Sequence, residues 1–163
     1  MVGARGPEPR AGLGEAPPCA GSAVRVLVGG EATGGRLALV ETRERRGAGP
    51  PRHVHMREDE LVYVLAGRLT VELGGAARDC PAGTCLLLPR GGEHTYRVES
   101  AEARLLIVLL PAGLEGCYRE LGQLTVGPDG APGAGSDWVE RLVSTAARYG
   151  VEITGPGCGE CAL

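Results

Sequence analysis

The chain has 163 residues, 43% of them hydrophobic, which is enough for one domain with a buried core. Its net charge of -3 and its pI near 5.7 argue against nucleic acid or an anionic membrane as a partner, because either calls for a basic face. Lysine is absent, which excludes Schiff-base catalysis and covalent pyridoxal phosphate.

The first 22 residues are rich in glycine, proline and alanine and have no periodic apolar pattern, so we expect residues 1–22 to be a disordered leader. After them, short apolar runs alternate with glycine-rich turns such as Gly74-Gly75 and Gly91-Gly92. This alternation predicts an all-β sandwich or barrel. The predicted strands are 24–28, 36–42, 53–55, 61–65, 68–73, 84–88, 95–98 and 103–110.

The barrel is expected to occupy residues 23–112, with residues 113–163 as a C-terminal extension. Within the extension, apolar residues at helical spacing predict one helix at about 137–149, capped by Ser136 or Asp137 and ended by Gly150. Near the end of the chain, Cys158 and Cys161 have the spacing of a zinc or redox pair. A second pair of ligands is missing, so the spacing alone assigns them no role.

All three histidines fall inside one two-part pattern. His53 and His55 are separated by one residue, so they share a face of a β-strand and both imidazoles can reach one ion. Imidazole suits Fe, Ni, Cu and Zn, and a carboxylate extends the range to Mn. The two parts of the pattern are Gly47-x5-His53-x-His55-x4-Glu60-x6-Gly67 and Gly83-x5-Pro89-x-Gly91-x2-His94.

With these residues the chain resembles a small single-domain cupin of the quercetin-dioxygenase-like group, over roughly residues 24–111. The resemblance implies a cupin jelly-roll β-barrel that carries one C-terminal α-helix. It also implies one divalent transition metal, of unspecified identity among Fe, Mn, Ni, Cu and Zn. The ligands implied by the resemblance are His53, His55, Glu60 and His94.

Two departures qualify this ligand set. Val98 stands where the second part of the family pattern usually has asparagine, a position that is not a usual ligand. The acidic neighbours Glu58 and Asp59 leave open which carboxylate binds the metal, although the six-residue spacing to Gly67 favours Glu60.

The surroundings of the metal follow from strand parity. The parity that turns Glu60 inward also turns Val62 inward, and His94 shares its face with Tyr96. If Cys85 and Leu87 also face inward, the pocket is apolar with one phenol. Such a pocket suits an aromatic or polyketide-like molecule better than a sugar phosphate, because no cluster of inward arginines can be identified.

The leading hypothesis is a metal-dependent oxidoreductase, a dioxygenase, in which Glu60 is both a ligand and a catalytic general base. One alternative is an oxygen-independent isomerase, cyclase or decarboxylase of natural-product metabolism. The other is a cupin that binds a small molecule without catalysis, because one fold hosts many chemistries.

Location and assembly are predicted from apolar segments. No apolar signal-peptide core is recognised near the N-terminus and no run is long enough to cross a membrane, so we expect a cytoplasmic protein. The run 61–65 is apolar on both faces, so we expect another element to pack over the outward side chains of Leu61, Tyr63 and Leu65. The C-terminal helix is one candidate, and the resemblance favours the other, a closed homodimer that exchanges N-terminal strands such as 24–28.

Overall fold

A computed structural model of the chain describes residues 14–15, 22–124 and 138–157. Two antiparallel sheets dominate it, with strand orders β1-β2-β3-β10-β5-β8 and β11-β4-β9-β6-β7, which confirms the predicted all-β jelly-roll fold. The strands are β1 (Gly14–Glu15), β2 (Ser22–Val28), β3 (Ala38–Arg45), β4 (Arg52–His55), β5 (Asp59–Ala66), β6 (Arg68–Leu73), β7 (Ala76–Pro81), β8 (Cys85–Leu88), β9 (His94–Val98), β10 (Glu102–Leu110) and β11 (Val151–Gly155). The helices are α1 (Gly30–Thr33), α2 (Glu115–Leu124) and α3 (Trp138–Arg148).

The core lies between the inward faces of the two sheets. From Ala103 onward, strand β10 of the six-stranded sheet alternates between buried and half-buried residues, as period-two side chains require. Its buried residues Leu105, Ile107 and Leu109 meet Leu69 and Val98 of the five-stranded sheet in one hydrophobic cluster. Each such side chain stabilises the fold by about 1.5 to 3 kcal/mol through removal from water.

One motif glycine is required by its surroundings. Gly67 has φ +87° at the turn between β5 and β6, a conformation that residues with a side chain rarely adopt. A Cβ there would also collide with the carbonyl oxygen of Glu102. Any larger residue would push β10 away from the β5–β6 turn.

Strand β4 carries two of the three histidines and lies between β9 and β11. Its register with β9 is the single pair His53↔His94. On its other side, β11 places Val151 opposite His55 and Ile153 opposite His53. A segment of the predicted C-terminal extension therefore completes the sheet that holds the histidines.

Five elements were not predicted from the sequence: β1, β7, β11, α1 and α2. Strand β7 is exposed along almost its whole length, so it has no apolar alternation to detect. Strand β11 has only two large apolar residues, Val151 and Ile153, which is a weak strand signal. Helix α2 contains Gly116 and Gly122, and glycine disfavours helix, so the predicted single C-terminal helix is one of two.

The predicted helix at about 137–149 is α3, and it packs on β11 and α2. It leaves the outward face of β5 uncovered, since Tyr63 and Leu65 are each 40% exposed. The alternative that this helix covers the apolar strand is therefore wrong. Among the described residues, no helix combines the length and hydropathy needed to cross a bilayer.

Some expectations lie partly or wholly outside the described residues. Within the predicted leader, Gly14 and Glu15 form β1 and pair with β2. Outside the described ranges lie the other residues of 1–21, the helix caps Ser136 and Asp137, and the cysteines Cys158 and Cys161.

Candidate metal centre

Four buried side chains bring their donor atoms within 4.8 Å of one another: His53, His55, Glu60 and His94. Strand β4 supplies two of them, β5 supplies Glu60 and β9 supplies His94. The His53 and His55 Nε2 atoms are 2.9 Å apart, and Glu60 Oε2 lies 3.1 Å from His55 Nε2 and 3.8 Å from His94 Nε2. The four residues named by the sequence pattern thus share one site.

Backbone carbonyls fix the orientation of two imidazoles. His53 Nδ1 is 2.8 Å from the carbonyl oxygen of Pro51, and His94 Nδ1 is 2.9 Å from that of Gly92. A carbonyl oxygen only accepts, so each Nδ1 is assigned the proton and donates. In each neutral ring the Nε2 atom therefore carries a lone pair, which points into the cluster.

The arrangement fits a metal ion. The two Nε2 atoms of β4 face each other at 2.9 Å, a contact that is favourable only with a proton or a cation between the lone pairs. His94 Nε2 is buried and has no hydrogen-bond partner among the described residues. Three imidazole nitrogens and one carboxylate oxygen form a donor set common to Fe, Mn, Ni, Cu and Zn. A single divalent transition metal would satisfy all four donors.

The protonation states also suit metal binding, which needs neutral imidazole and ionised carboxylate. Burial, together with the neighbouring rings of His94 and His55, lowers the pKa of His53 to about 3. Burial alone would raise the pKa of Glu60, but the contacts with His94, His55 and His53 outweigh it and lower that pKa. Burial opposes a charge on His94, yet Glu60 outweighs it and raises the pKa of His94. Protons therefore compete with a metal mainly at His94.

The three acids in a row have different surroundings. Asp59 accepts the backbone N–H of Arg90 at 2.9 Å, and its other oxygen lies 3.9 Å from the Arg90 guanidinium. Glu58 is buried on the far side of His55, with Oε2 3.9 Å from Nδ1. Only Glu60 directs an oxygen into the cluster, so it is the carboxylate that geometry supports as a ligand.

Two of the four expected pocket residues face the interior. Val62 and Tyr96 are buried, but Cys85 is exposed and Leu87 is 54% exposed, so the inward placement of Cys85 and Leu87 was wrong. The reason is the register of β5 and β8, in which Glu60 opposes Leu88 and therefore shares its face. Leu86 and Leu88 occupy the inward positions instead.

A second buried carboxylate was missed. Glu44 on β3 accepts a hydrogen bond from Tyr96 Oη at 2.7 Å and one from Thr42 Oγ1 at 2.8 Å. Burial raises the pKa of Glu44, an effect that these two donors only partly offset and that the charge of Glu60 reinforces. Glu44 is thus favoured as a neutral acid. The sequence signal for Glu44 was its spacing: Val40, Thr42 and Glu44 occupy alternate positions of β3, and all three are buried.

Tyr118 of α2 was missed because the helix itself was not predicted. Its side chain packs against the core cluster. Burial, followed by the charge of Glu60, raises its pKa well above the ordinary value of a tyrosine. A neutral phenol from α2 therefore lies within the electrostatic reach of the candidate ligand.

Residues 41–109 match the family model described as "Cupin domain". The chain contains a cupin domain. The matched stretch of the cupin includes all four clustered donors and Glu44, whereas α2, α3 and β11 lie beyond it.

Comparisons with known proteins place this cupin among distant relatives. Quercetin 2,3-dioxygenase of Bacillus subtilis (strain 168) is 29% identical over 97 residues, which are 60% of this chain and 29% of that protein. The structure of KdgF from Halomonas sp. has a TM-score of 0.54 at 23% identity, covering 59% of this chain and 84% of that one. The polyketide cyclase RemF from Streptomyces resistomycificus has a TM-score of 0.51 at 24% identity, covering 58% and 68%. The two structural likenesses show the fold alone.

Proposed function

We propose that this cupin is a metal-dependent enzyme, a dioxygenase, that acts on a small aromatic or polyketide-like molecule. The observation that carries the proposal is the buried cluster of three imidazoles and one carboxylate, with donor atoms within 4.8 Å of one another. The similarity to a quercetin 2,3-dioxygenase favours oxygen chemistry, although the matched stretch spans less than a third of that protein.

The interior favours an apolar substrate. Val62, Val64 and Leu88 are buried near the strands that carry the donors, and Tyr96 and Tyr118 add phenols. No arginine is among the buried residues of the described part of the chain, so a phosphate group would have no guanidinium partner there. An aromatic or polyketide-like molecule with adjacent oxygens suits this apolar interior better than a sugar phosphate.

The chain's own residues then have separate roles. His53, His55, His94 and Glu60 would hold the ion, which when bound supplies Lewis-acid polarisation of substrate oxygens and, for a redox-active metal, electron exchange with dioxygen. Glu60 also acts as the general base, because its lowered pKa keeps the carboxylate ionised at neutral pH. In this role the carboxylate would receive a proton from the substrate.

Oxygen dependence tests the proposal directly. Protein purified without added ions is analysed for metal, and then incubated with flavonols and with 1,3-diketones while oxygen uptake and product are followed. We expect turnover to consume oxygen and to stop under nitrogen. Equal turnover in air and under nitrogen would contradict the dioxygenase assignment.

A second candidate is an oxygen-independent isomerase, cyclase or decarboxylase. It is favoured by one observation, the presence of a carboxylate with a lowered pKa, Glu60, and a buried acid with a raised pKa, Glu44, in one interior. Such a pair can serve as base and acid in proton transfer. Product formation under nitrogen, dependent on bound metal, would support this candidate, and tight binding without turnover would support a binding protein instead.

We also propose a cytoplasmic homodimer formed through the outward face of the six-stranded sheet. Tyr63, Leu65 and Leu87 project from this face and are 40%, 40% and 54% exposed. Contiguous exposed apolar surface of this kind is typical of interfaces. Light scattering should give about twice the chain mass of 16.8 kDa. Leu87→Glu should give the single-chain mass, whereas Val143→Glu, at an exposed apolar position of α3, should not.

A further inference from the structure

The three clustered histidines differ in what faces their outer nitrogen. His53 and His94 each direct Nδ1 at a backbone carbonyl, at 2.8 and 2.9 Å. His55 Nδ1 has no hydrogen-bond partner among the described residues. It faces a carboxylate instead, because Glu58 Oε2 lies 3.9 Å away.

Glu58 is itself anomalous. It is 2% exposed, and its Oε2 atom, like His55 Nδ1 and His94 Nε2, is buried without a hydrogen-bond partner in the described structure. A buried carboxylate oxygen without a partner is costly, and so is an unpaired imidazole nitrogen. Here the two unpaired atoms face each other, and one is an acceptor while the other can donate.

We propose that Glu58 is a positioning residue of the metal centre, whose carboxylate accepts the Nδ1–H of His55 and so directs the Nε2 lone pair of that ring at the metal. The proposal rests on the metal-binding function proposed above. A charge-assisted hydrogen bond is about 2.7 to 2.9 Å long, so the contact must shorten by about 1 Å. A rotation about the side-chain torsions of Glu58 can move its carboxylate by this distance.

The resulting site has three outer acceptors, and they are not equivalent. Two are neutral carbonyls that hold His53 and His94, and one is the carboxylate that holds His55. A carboxylate behind an imidazole makes the ring a more basic ligand and fixes its tautomer. It also brings a second negative charge, beside Glu60, close to a divalent cation. Glu58 thus acts on the metal through His55, without touching it.

Zinc affinity is the first measurement. Parent, Glu58→Ala, Glu58→Gln and the matched control Asp59→Asn are titrated with Zn²⁺ against a competing chelator. We expect Glu58→Ala to bind Zn²⁺ about 10- to 100-fold more weakly, the range typical of a lost outer partner. Glu58→Gln keeps a carbonyl acceptor and should recover part of the affinity. Asp59→Asn changes the neighbouring acid, which binds Arg90, and should match the parent.

Two further readouts separate positioning from a structural role. The chain has three histidines, so long-range ¹⁵N–¹H spectra of the zinc-loaded protein report each ring. His55 should show the Nδ1–H form in the parent and lose that single form in Glu58→Ala. In the absence of metal, Glu58→Gln should melt no lower than the parent, because the substitution keeps the shape and an oxygen acceptor while it removes a buried carboxylate.

The outcomes are distinguishable. Zinc affinity of Glu58→Ala within twofold of the parent, or an equal loss in Asp59→Asn, would overturn the positioning role while leaving the metal site intact. A parent protein that binds no Zn²⁺, Fe²⁺ or Mn²⁺ would overturn the proposed function as well.

Discussion

Two buried glutamates on the inward face of the same sheet have opposite electrostatic character. Glu60 and Glu44 are 4% and 3% exposed, and burial works to raise the pKa of both. At Glu60, contacts with His94, His55 and His53 outweigh burial and lower the pKa. At Glu44, the neighbours are the hydroxyl groups of Tyr96 and Thr42, and the pKa is raised. The difference is therefore set by the neighbours and not by the depth of burial.

The distribution of partners explains how one interior maintains both states. The five-stranded sheet supplies the three imidazoles, whereas the six-stranded sheet supplies both carboxylates. The packing of one sheet on the other thus decides which carboxylate meets the imidazoles. A site that needs an anionic ligand and a neutral acid can be built from two identical side chains.

Removal of an imidazole should have the largest effect. We expect His94→Ala to lose more metal affinity than the about 10- to 100-fold typical of an outer partner, because a direct ligand is removed. At a metal concentration of 100 Kd the parent gains about 2.7 kcal/mol, or about 5 to 11 °C in melting temperature, whereas a variant that binds more than about 100-fold more weakly should gain less than about 0.4 kcal/mol. Thermal melts with and without Zn²⁺ measure this. Arg97→Ala, at an exposed position of the same strand, should behave as the parent.

Neutralising the anionic member of the pair is the next test. Glu60→Gln keeps an oxygen at the site, so some metal should remain, but the general base is lost and turnover should fall about 100-fold or more. Turnover must be expressed per bound metal ion. Activity close to that of the parent would leave Glu60 without a catalytic role.

Neutralising Glu44 should change only the pH dependence of stability. Burial raises the pKa of Glu44 above its ordinary value of 4.5, so the folded state keeps a proton that the unfolded state loses as pH rises. The free energy of unfolding of the parent should thus fall as pH rises from about 4.5 to the folded pKa. Glu44→Gln should match the parent near pH 4 and exceed it at pH 7. Urea unfolding at several pH values across this range measures the free energy of unfolding. Glu102→Gln, at an exposed position, is the control and should follow the parent.

The smallest expected effect comes from Tyr96→Phe. The variant removes one of the two donors to Glu44 and leaves Thr42 in place. A lost hydrogen bond of this kind costs about 0.5 to 1.5 kcal/mol, or about 1 to 6 °C in melting temperature. Zinc affinity should not change, because His94 is held by the carbonyl of Gly92. A weaker zinc site in this variant would mean that the two glutamate environments are coupled.

The donor cluster followed from the sequence because period-two geometry is local. His53 and His55 must share a face of one strand whatever surrounds them. The inward placement of Cys85 failed because parity within β8 says nothing of its register with β5, where Tyr63 opposes Cys85 and both face outward. Register depends on turn geometry, which spacing alone does not determine.

The features of the site that were missed depend on tertiary contacts. Glu58 was recognised only as an alternative ligand, because its position behind His55 arises from the loop between β4 and β5. Tyr118 enters the site on a helix whose glycines give a weak local signal. In both cases the residue is visible in the sequence, but its position relative to the donor cluster depends on how the chain folds around it.

The pairing of β11 with β4 limits how this domain can be shortened. A fragment that ends at Pro111 would retain every donor residue and the whole stretch matched by the family model. It would also leave β4, with one register pair to β9, as the edge strand of its sheet. An edge strand exposes unpaired backbone groups and frays more readily. A fragment chosen by the motif alone would thus contain the four donor residues but lack β11, the strand that pairs with β4 and keeps His53 and His55 aligned.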